Sequence, residues 1–441
     1  MTTHNSHLIS LPQLIEKQLK RPFCLTQNGS VFSRADLLHD ALQLSKQLPD
    51  NSYALNLCQQ RYFFMVAYLA VILKGQTTLL PPNQATGTIN SLLKDYKQSY
   101  CISDVENNYS KESFIVNWDL LKGEEDDFPL IDIEKTVSIS FTSGSTGEPK
   151  AIVKNWREFQ KSAELALQQL DLQQQALTLV STVPMQHMYG LETSLFWTLF
   201  SNLCIHNSRP FYPQDIRATL ISVENAMLIS TPTHLKSCVN SQSTWPHTQC
   251  LLSSTASMSI ELATEIEQRF NAPLYEVYGS TETLSFASRR STHSKHWQPY
   301  QGIKLYQQAA HFFVKGGHLL EAVELDDNFD IEAEGRFINL GRAGDLIKIG
   351  GKRASLIELN RILLQLPRVK DGIFFKTEKG RLSALVVSDA SKKEILEELK
   401  HSIDVVFLPR TLYQVEKLPR NEMGKIIKTE LDKLIEGLKR G

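Results

Sequence analysis

Phe141-Thr142-Ser143-Gly144-Ser145-Thr146-Gly147-Glu148-Pro149-Lys150 sets four hydroxyls around two glycines and ends on a cation. Gly144 and Gly147 permit a tight turn and let backbone N–H groups approach a bound anion. Thr142, Ser143, Ser145 and Thr146 add hydroxyl donors, and Lys150 adds a full positive charge. Such a stretch suits a phosphate chain. The Gly-x-x-x-x-Gly-Lys-Ser/Thr spacing of a Walker A loop is absent. The flanks differ too: Val137–Phe141 and Ala151–Val153 read as strands, whereas a Walker A loop opens a helix. The competing reading is a solvated Ser/Gly hairpin loop.

Outward from this loop, short apolar runs alternate with helical patterns. Leu177–Val183, Ala226–Ser230 and Pro273–Val277 read as strands, and Leu262–Phe270 carries apolar residues at helical spacing. This alternation predicts α/β sheets with helices on both faces. Upstream, Tyr62–Leu73 is the longest apolar run, and its 12 residues are too few to span a bilayer. It reads as a buried helix closing at Lys74-Gly75 before a strand at Thr77–Leu80. From His311 to Ile338 the texture turns to short strands with turns at Lys315-Gly316-Gly317 and Asp326-Asp327-Asn328, as in a small β-subdomain. Residues 344–441 read as a compact Lys-rich α+β segment. No internal repeat or low-complexity linker is present.

The chain has 441 residues, more than one compact core accommodates, so at least two domains are expected. With 47 basic and 48 acidic residues the net charge is −1, which argues against nucleic-acid or polybasic membrane binding. No basic, aromatic-interleaved patch is present. Met1-Thr2-Thr3-His4-Asn5-Ser6-His7 does not read as a secretory signal. Cys24, Cys58, Cys101, Cys204, Cys238 and Cys250 are scattered without a Cys-x-x-Cys pair. That pattern fits reduced thiols in a cytoplasm and argues against a disulfide framework or a zinc site.

Three further segments follow the loop: Tyr278-Gly279-Ser280-Thr281-Glu282-Thr283, then Gly341-Arg342-Ala343-Gly344-Asp345 running to Arg353, then Leu418-Pro419-Arg420-Asn421-Glu422-Met423-Gly424-Lys425-Ile426. In this order and at these separations the four segments resemble the adenylate-forming superfamily of acyl- and aryl-CoA synthetases, peptide-synthetase adenylation domains and firefly-type luciferases. The resemblance runs from roughly residue 10 to the end. It implies an α/β fold in which a large N-terminal domain (residues 1–343) has two βα sheets and a small β-subdomain. A small, mobile α+β domain (residues 344–441) would carry the catalytic lysine.

The same resemblance implies site residues. Lys425 would bridge the substrate carboxylate and the α-phosphate of ATP, though the C-terminal segment holds many exposed lysines. Glu282 would hold Mg²⁺, which takes one or two carboxylates plus phosphate oxygens. Thr281 would donate to the α-phosphate, and Tyr278 would pack its ring on adenine beside Gly279 and Ser280. The family's ribose aspartate stands eight residues before the glycine of a Gly-Arg-Phe turn. Gly335-Arg336-Phe337 supplies that turn here, and Asp327 stands eight residues earlier. The usual preceding Thr-Gly is replaced by Leu325-Asp326, which leaves Asp326 as a substitute. Arg342 and Arg353 would add cations near ribose and phosphates.

Pro184-Met185-Gln186-His187-Met188-Tyr189-Gly190 resembles a segment of acyl- and aryl-CoA ligases and would set His187 beside the acid's carboxylate. Amino-acid-activating members carry a Phe-Asp pair there, and no Asp stands between Thr182 and Phe200. Leu251-Leu252-Ser253-Ser254-Thr255-Ala256 replaces the family's Ser-Gly-Gly-Ala turn, so Ser254 and Thr255 add side chains to the acid pocket and narrow it. Gly351 would let a pantetheine arm pass, although a tight turn needs glycine equally. Gly344 stands at the family's hinge. The implied activity is ligation of a small aromatic or medium-chain acid, through an acyl-adenylate formed from ATP and Mg²⁺, to CoA or a phosphopantetheinyl carrier protein. An amino-acid-activating domain and a non-catalytic nucleotide-binding homologue are the rivals. The second would be expected to lack Lys425 or Glu282, and both are present.

Overall fold

The computed structural model describes residues 7–15, 18–109, 113–124, 127–143, 149–241, 243–342, 346–349, 352–377, 381–421, 424 and 426–440. Two large sheets organise the first 300 residues. One has six strands in the order Pro149–Asn155, Thr136–Ser143, Thr77–Leu80, Tyr53–Asn56, Ser99–Ser103 and Ser113–Ile115. Five run parallel, and Pro149–Asn155 turns back antiparallel on Thr136–Ser143, with Ser143 opposite Pro149 and Thr142 opposite Lys150. The expected strand–loop–strand is therefore a hairpin whose connection, residues 144–148, lies outside the described residues.

The second sheet has nine strands. Leu274–Ser280, Cys250–Ser253, Ala226–Ser230, Thr178–Ser181, Cys204–His206 and Pro22–Leu25 run parallel and adjacent in that order. Antiparallel strands flank them, Leu284–Arg289 and Gln298–Pro299 at one edge and Val31–Ser33 at the other. Parallel strands covered on both faces read as apolar runs without alternation, as these do.

Between the sheets lies the helix Arg61–Leu73, every residue of which is buried. Its sequence is apolar all round, the pattern of a helix with no solvent face. Its side chains join one large core with residues of both sheets. The chain leaves it through Lys74 and Gly75, whose φ of +76° lies in the left-handed region open to glycine. The helix Trp156–Gln169 begins where Asn155 accepts from the Glu158 N–H at 2.8 Å while Glu158 accepts from the Asn155 N–H at 3.0 Å. This reciprocal cap fixes the helix start directly after the hairpin Thr136–Ser143/Pro149–Asn155.

Ile303–Gln308, His311–Gly316 and Leu319–Leu325 form an antiparallel meander, and Asp327–Ile331 pairs with Phe337–Arg342. Asp326-Asp327-Asn328 is thus not the expected turn. The chain bends at Asp326, and Asp327 already begins the next strand, paired opposite Arg342. Strand ends also shift: Leu177–Val183 narrows to Thr178–Ser181, and Pro273–Val277 becomes Leu274–Ser280. The helix Leu262–Phe270 starts at Ile260, behind a cap in which Ser259 accepts from the Leu262 N–H.

Beyond residue 345, Leu346–Ile349 pairs with Lys352–Ser355, and Val369–Lys376, Leu382–Ser388 and Leu412–Gln414 form a sheet. The helices Leu356–Gln365, Lys392–Ser402 and Lys428–Arg440 accompany it. A separate apolar core from Ile347 to Leu412 draws no member from the two large sheets. Among the described residues no helix is long and apolar enough to cross a membrane, and all six cysteines are free thiols.

Candidate active site

The carboxyl ends of the parallel strands in the second sheet open onto a narrow cleft of about 60 Å³. In open α/β sheets ligands bind at that edge. His187, Tyr189 and Glu192 form one wall, Ser254 and Thr255 a second, and Gly279, Ser280 and Thr281 a third. Six residues singled out in the sequence (His187, Ser254, Thr255, Gly279, Ser280, Thr281) therefore meet in one place although they span 95 positions.

The third wall is a turn with little freedom. A Cβ on Gly279 would lie 1.9 Å from the Leu284 carbonyl oxygen, so only glycine fits where the strand pairing slips between Tyr278 and Gly279. Thr283 Oγ1 accepts from the Ser280 N–H at 2.9 Å. Two buried side chains then seize the turn's carbonyls. Lys154 Nζ donates to Glu282 O at 2.7 Å and also pairs with Glu158 Oε1 at 2.7 Å. His318 Nε2 donates to Thr283 O at 2.6 Å. Burial pushes the His318 ring down to about 4, so it is neutral at pH 7 and carries its proton on Nε2. Thr281 and Glu282 are left half-buried, and Thr281 lines the cleft whereas Glu282 is not among its lining residues.

Tyr278 precedes this turn and reaches across to the β-subdomain. Its hydroxyl donates to Asp327 Oδ2, and Asn339 Nδ2 donates to the same oxygen at 3.0 Å. Its ring meets Phe286 edge-to-face at 5.2 Å, Phe329 at 5.9 Å, and Trp297 at a tilt. Stacking was the role the sequence suggested for Tyr278, and the hydroxyl bond to Asp327 adds to it. Asp326 faces solvent, whereas Asp327 is half-buried and hydrogen-bonded. The two aspartates, adjacent in sequence, are chemically distinct.

On the first wall, His187 caps the short helix Met188–Leu191, its Nδ1 accepting from the Tyr189 N–H at 3.3 Å. In the neutral ring this leaves the proton on Nε2. Tyr189 donates its hydroxyl to Leu252 O at 3.2 Å, tying this wall to the second. A Cβ on Gly190 would sit 2.0 Å from Pro184 O, so the loop closes only with glycine there. Glu192, absent from the sequence expectations, is 2% exposed. Its carboxylate accepts from the hydroxyls of Ser162 and Ser285 and from the Ser285 N–H. Burial raises its pKa, and the bonds from Ser285 and Ser162 oppose that rise. It begins a π-helical turn, Glu192–Phe196, a form frequent at functional sites.

The second wall departs from regular geometry at Thr255, whose φ is +82°. Ser254 commits its hydroxyl to Val277 O at 2.9 Å, whereas the Thr255 hydroxyl is buried without a hydrogen-bond partner among the described residues.

The turn that carries Lys425 approaches the same edge of the sheet. Gly424 has φ +75°, and a Cβ there would lie 2.2 Å from Thr233 Oγ1, two residues beyond the cap of the helix Pro232–Asn240. Arg420 donates to Gly424 O at 2.6 Å and forms a two-pronged pair with Asp371, both bonds 2.7 Å. Lys236 Nζ donates to Leu364 O at 3.2 Å, and Gln365 donates to Glu261 at 2.6 Å. Lys425 itself, Gly351, Gly344 and the loop residues Gly144, Ser145, Thr146 and Gly147 lie outside the described residues, as do the side chains of Thr142, Ser143, Arg342 and Arg353. Lys150 is exposed on the hairpin and is not among the residues lining the cleft.

Known proteins agree with this architecture. The 2-succinylbenzoate–CoA ligase of Staphylococcus epidermidis is 25% identical over 332 residues, 67% of this chain and 69% of that enzyme. Its Bacillus subtilis counterpart is 22% identical over 450 aligned residues, 90% of this chain and 92% of that enzyme. The B. subtilis O-succinylbenzoate coenzyme A synthetase, solved in complex with ATP and magnesium ion, superposes with a TM-score of 0.83 at 20% identity, covering 96% of this chain and 98% of that one. A family profile matches residues 50–310, more than half of the sequence and including the hairpin around residues 144–148 and every wall of the cleft. The chain belongs to the AMP-binding enzyme family.

Proposed function

We propose that this protein is an AMP-forming acid–thiol ligase: it activates a small carboxylic acid with ATP as an acyl- or aryl-adenylate and passes the acyl group to a pantetheine thiol. The observation that carries the reading is the cleft itself, where His187, Ser254 and Thr255 face Gly279–Thr281. The Tyr278–Asp327 pair lies directly beside it. One end of this arrangement suits a nucleotide and the other a small acid.

Both reactants are anions, so catalysis depends on cations and donors placed before the reaction begins. The Asp327 carboxylate, oriented by Tyr278 and Asn339, would take the ribose hydroxyls. Thr281 would donate to the α-phosphate from a turn whose carbonyls Lys154 and His318 hold still. Glu282, half-buried, would be the hard oxygen donor that holds Mg²⁺ alongside phosphate oxygens. Magnesium, when bound, supplies positive charge to the phosphates. His187 would present Nε2–H toward the acid's carboxylate, and Lys425 would bridge carboxylate and α-phosphate. Thr142, Ser143, Gly144, Ser145, Thr146, Gly147 and Lys150 would hold the β- and γ-phosphates, with Arg342 and Arg353 nearby.

Residues 1–343 form the nucleotide- and acid-binding unit in this reading, and residues 344–441 the lid that alternates between the two half-reactions around Gly344. CoA and a carrier protein are both acceptors of the required chemistry, reached past Gly351, and the free cysteines fit a cytoplasmic setting. The test is pyrophosphate release across a panel of carboxylic acids, with and without CoA. Acid-dependent release supports the assignment, and silence across the panel with intact ATP binding would overturn it.

A further inference from the structure

Thr255 carries two unfavourable features at one position. Its φ of +82° lies in the left-handed region, where a β-branched side chain is strained. Its hydroxyl is buried without a hydrogen-bond partner among the described residues, which adds a desolvation penalty. Glycine would adopt this backbone without strain and without a stranded hydroxyl. A residue that works against folding in the wall of a ligand cleft points to a use for its side chain.

The surroundings narrow that use. Ser254, next to it, spends its hydroxyl on Val277 O and so holds the wall in place. The facing walls cannot retreat, because Tyr189 is tethered to Leu252 O and Gly279 is pressed against Leu284 O. The space left between them is about 60 Å³. In this rigid frame the Thr255 side chain takes volume that the backbone conformation would concede to a glycine.

We propose that Thr255 sets the upper size of the acid, so that the substrates are compact carboxylic acids and bulkier ones are excluded by its side chain. This inference rests on the ligase reading above and names the substrate class of the same cleft. The hydroxyl takes no part in it; the excluding groups are Cβ and the two γ-substituents.

The experiment is pyrophosphate–ATP exchange with a graded series of acids, from short aliphatic through single-ring to extended aryl and long-chain acids. Wild type is compared with Thr255→Gly, Thr255→Ala and Thr255→Val. Thr255→Gly is expected to raise kcat/KM for the first excluded acids by about tenfold or more, the scale at which hydrophobic pockets resolve small changes in volume. Activity on the compact acids is measured alongside, so that the effect is read as the ratio between bulky and compact acids. Thr255→Ala should fall between wild type and the glycine variant. Thr255→Val, equal in shape but lacking the hydroxyl, should keep the wild-type cut-off. Melting temperatures should show the glycine variant at least as stable as wild type, and the alanine variant carries the test if glycine loosens the fold. An unchanged size cut-off in Thr255→Gly and Thr255→Ala would overturn the proposal, as would a Thr255→Val profile matching Thr255→Gly. No exchange by wild type with any acid would instead count against the ligase reading, so the two failures are distinguishable.

Discussion

The two turns that carry the proposed chemistry are held in opposite ways. Gly279–Thr283 is fixed from far away in sequence: Lys154 reaches it across 128 positions and His318 across 35. The turn around Lys425 is fixed from within its own part of the chain. Arg420 grips Gly424 O and Asp371, an isolated bridge joins Arg420 to Ile426, and the Ile427 N–H donates to Pro419 O at 2.9 Å. It meets the large sheets through Gly424 against Thr233. The first turn is therefore held by the framework of the large sheets, and the residues flanking Lys425 are held by their own segment, which in the proposed reading is applied to that framework as a unit. Changes in the framework turn should alter nucleotide affinity or stability, and changes in the applied turn should alter rate.

The strongest test of this division is Lys425→Ala. Removing a cation used mainly in the transition state should lower pyrophosphate exchange by about 10²–10³ while ATP affinity stays within about twofold. An equal loss of binding and rate would make the lysine part of the framework.

His318 offers a test by pH. Its folded pKa of about 4 lies below the ordinary imidazole value of 6.5. A depressed folded value means that its contribution is complete above about pH 6.5 and disappears as pH falls through 4. The shift corresponds to roughly 3 kcal/mol across that window. Thermal melting between pH 7 and 4 should be steeper for wild type than for His318→Gln, with ATP affinity falling in parallel. Superimposable pH profiles would remove His318 from the framework.

The aspartates sharpen the comparison at single-residue resolution. Asp327→Ala should weaken ATP binding by roughly 1–3 kcal/mol by leaving polar partners unpaired. Exposed Asp326→Ala should stay within about 0.5 kcal/mol. Titration calorimetry giving the reverse ranking would shift the ribose contact by one residue. On the applied turn, a modest effect is expected of Arg420→Ala. Its pair with Asp371 is about one-quarter exposed, so screening limits its loss to about 1 kcal/mol. That loss should appear as slower exchange with unaltered ATP titration, and a weakened titration would contradict the two-turn distinction.

The large features were legible because they are written locally. Helix Arg61–Leu73 announced itself by its apolar run and its Lys-Gly exit, and the hairpin by Gly-rich residues between β-rich flanks. The order of the four motifs pointed to the fold, whereas the strand-ending turn after Tyr278 was the disfavoured reading of that segment and is what the structure shows. Lys154, His318, Asn339 and Glu192 escaped notice because what marks each is a partner distant in sequence. A lysine on a strand gives no sign that its ammonium ends on a carbonyl 128 residues away. Asp326-Asp327-Asn328 misled for the opposite reason, since its turn-forming composition is real but β-pairing with Phe337–Arg342 prevails over it. At Thr255 the missing glycines foretold a narrower pocket, yet not that the backbone would keep a glycine's conformation.

The edge of the second sheet has a consequence for biosynthesis. Pro22–Leu25 folds back on Val31–Ser33 at once, but its other neighbour is Cys204–His206. From Leu25 to His206 the ribosome must add 181 residues, which takes about 10–35 s at about 5–20 residues per second. The six-stranded sheet, complete at Asn155, can assemble during that wait, while the earliest hairpin keeps one edge unsatisfied. The strand Pro22–Leu25, made early, thus waits for its second neighbour until residue 206 is made, and a nascent chain stalled before residue 204 would display an open strand edge to whatever chaperone or fellow chain stands nearby.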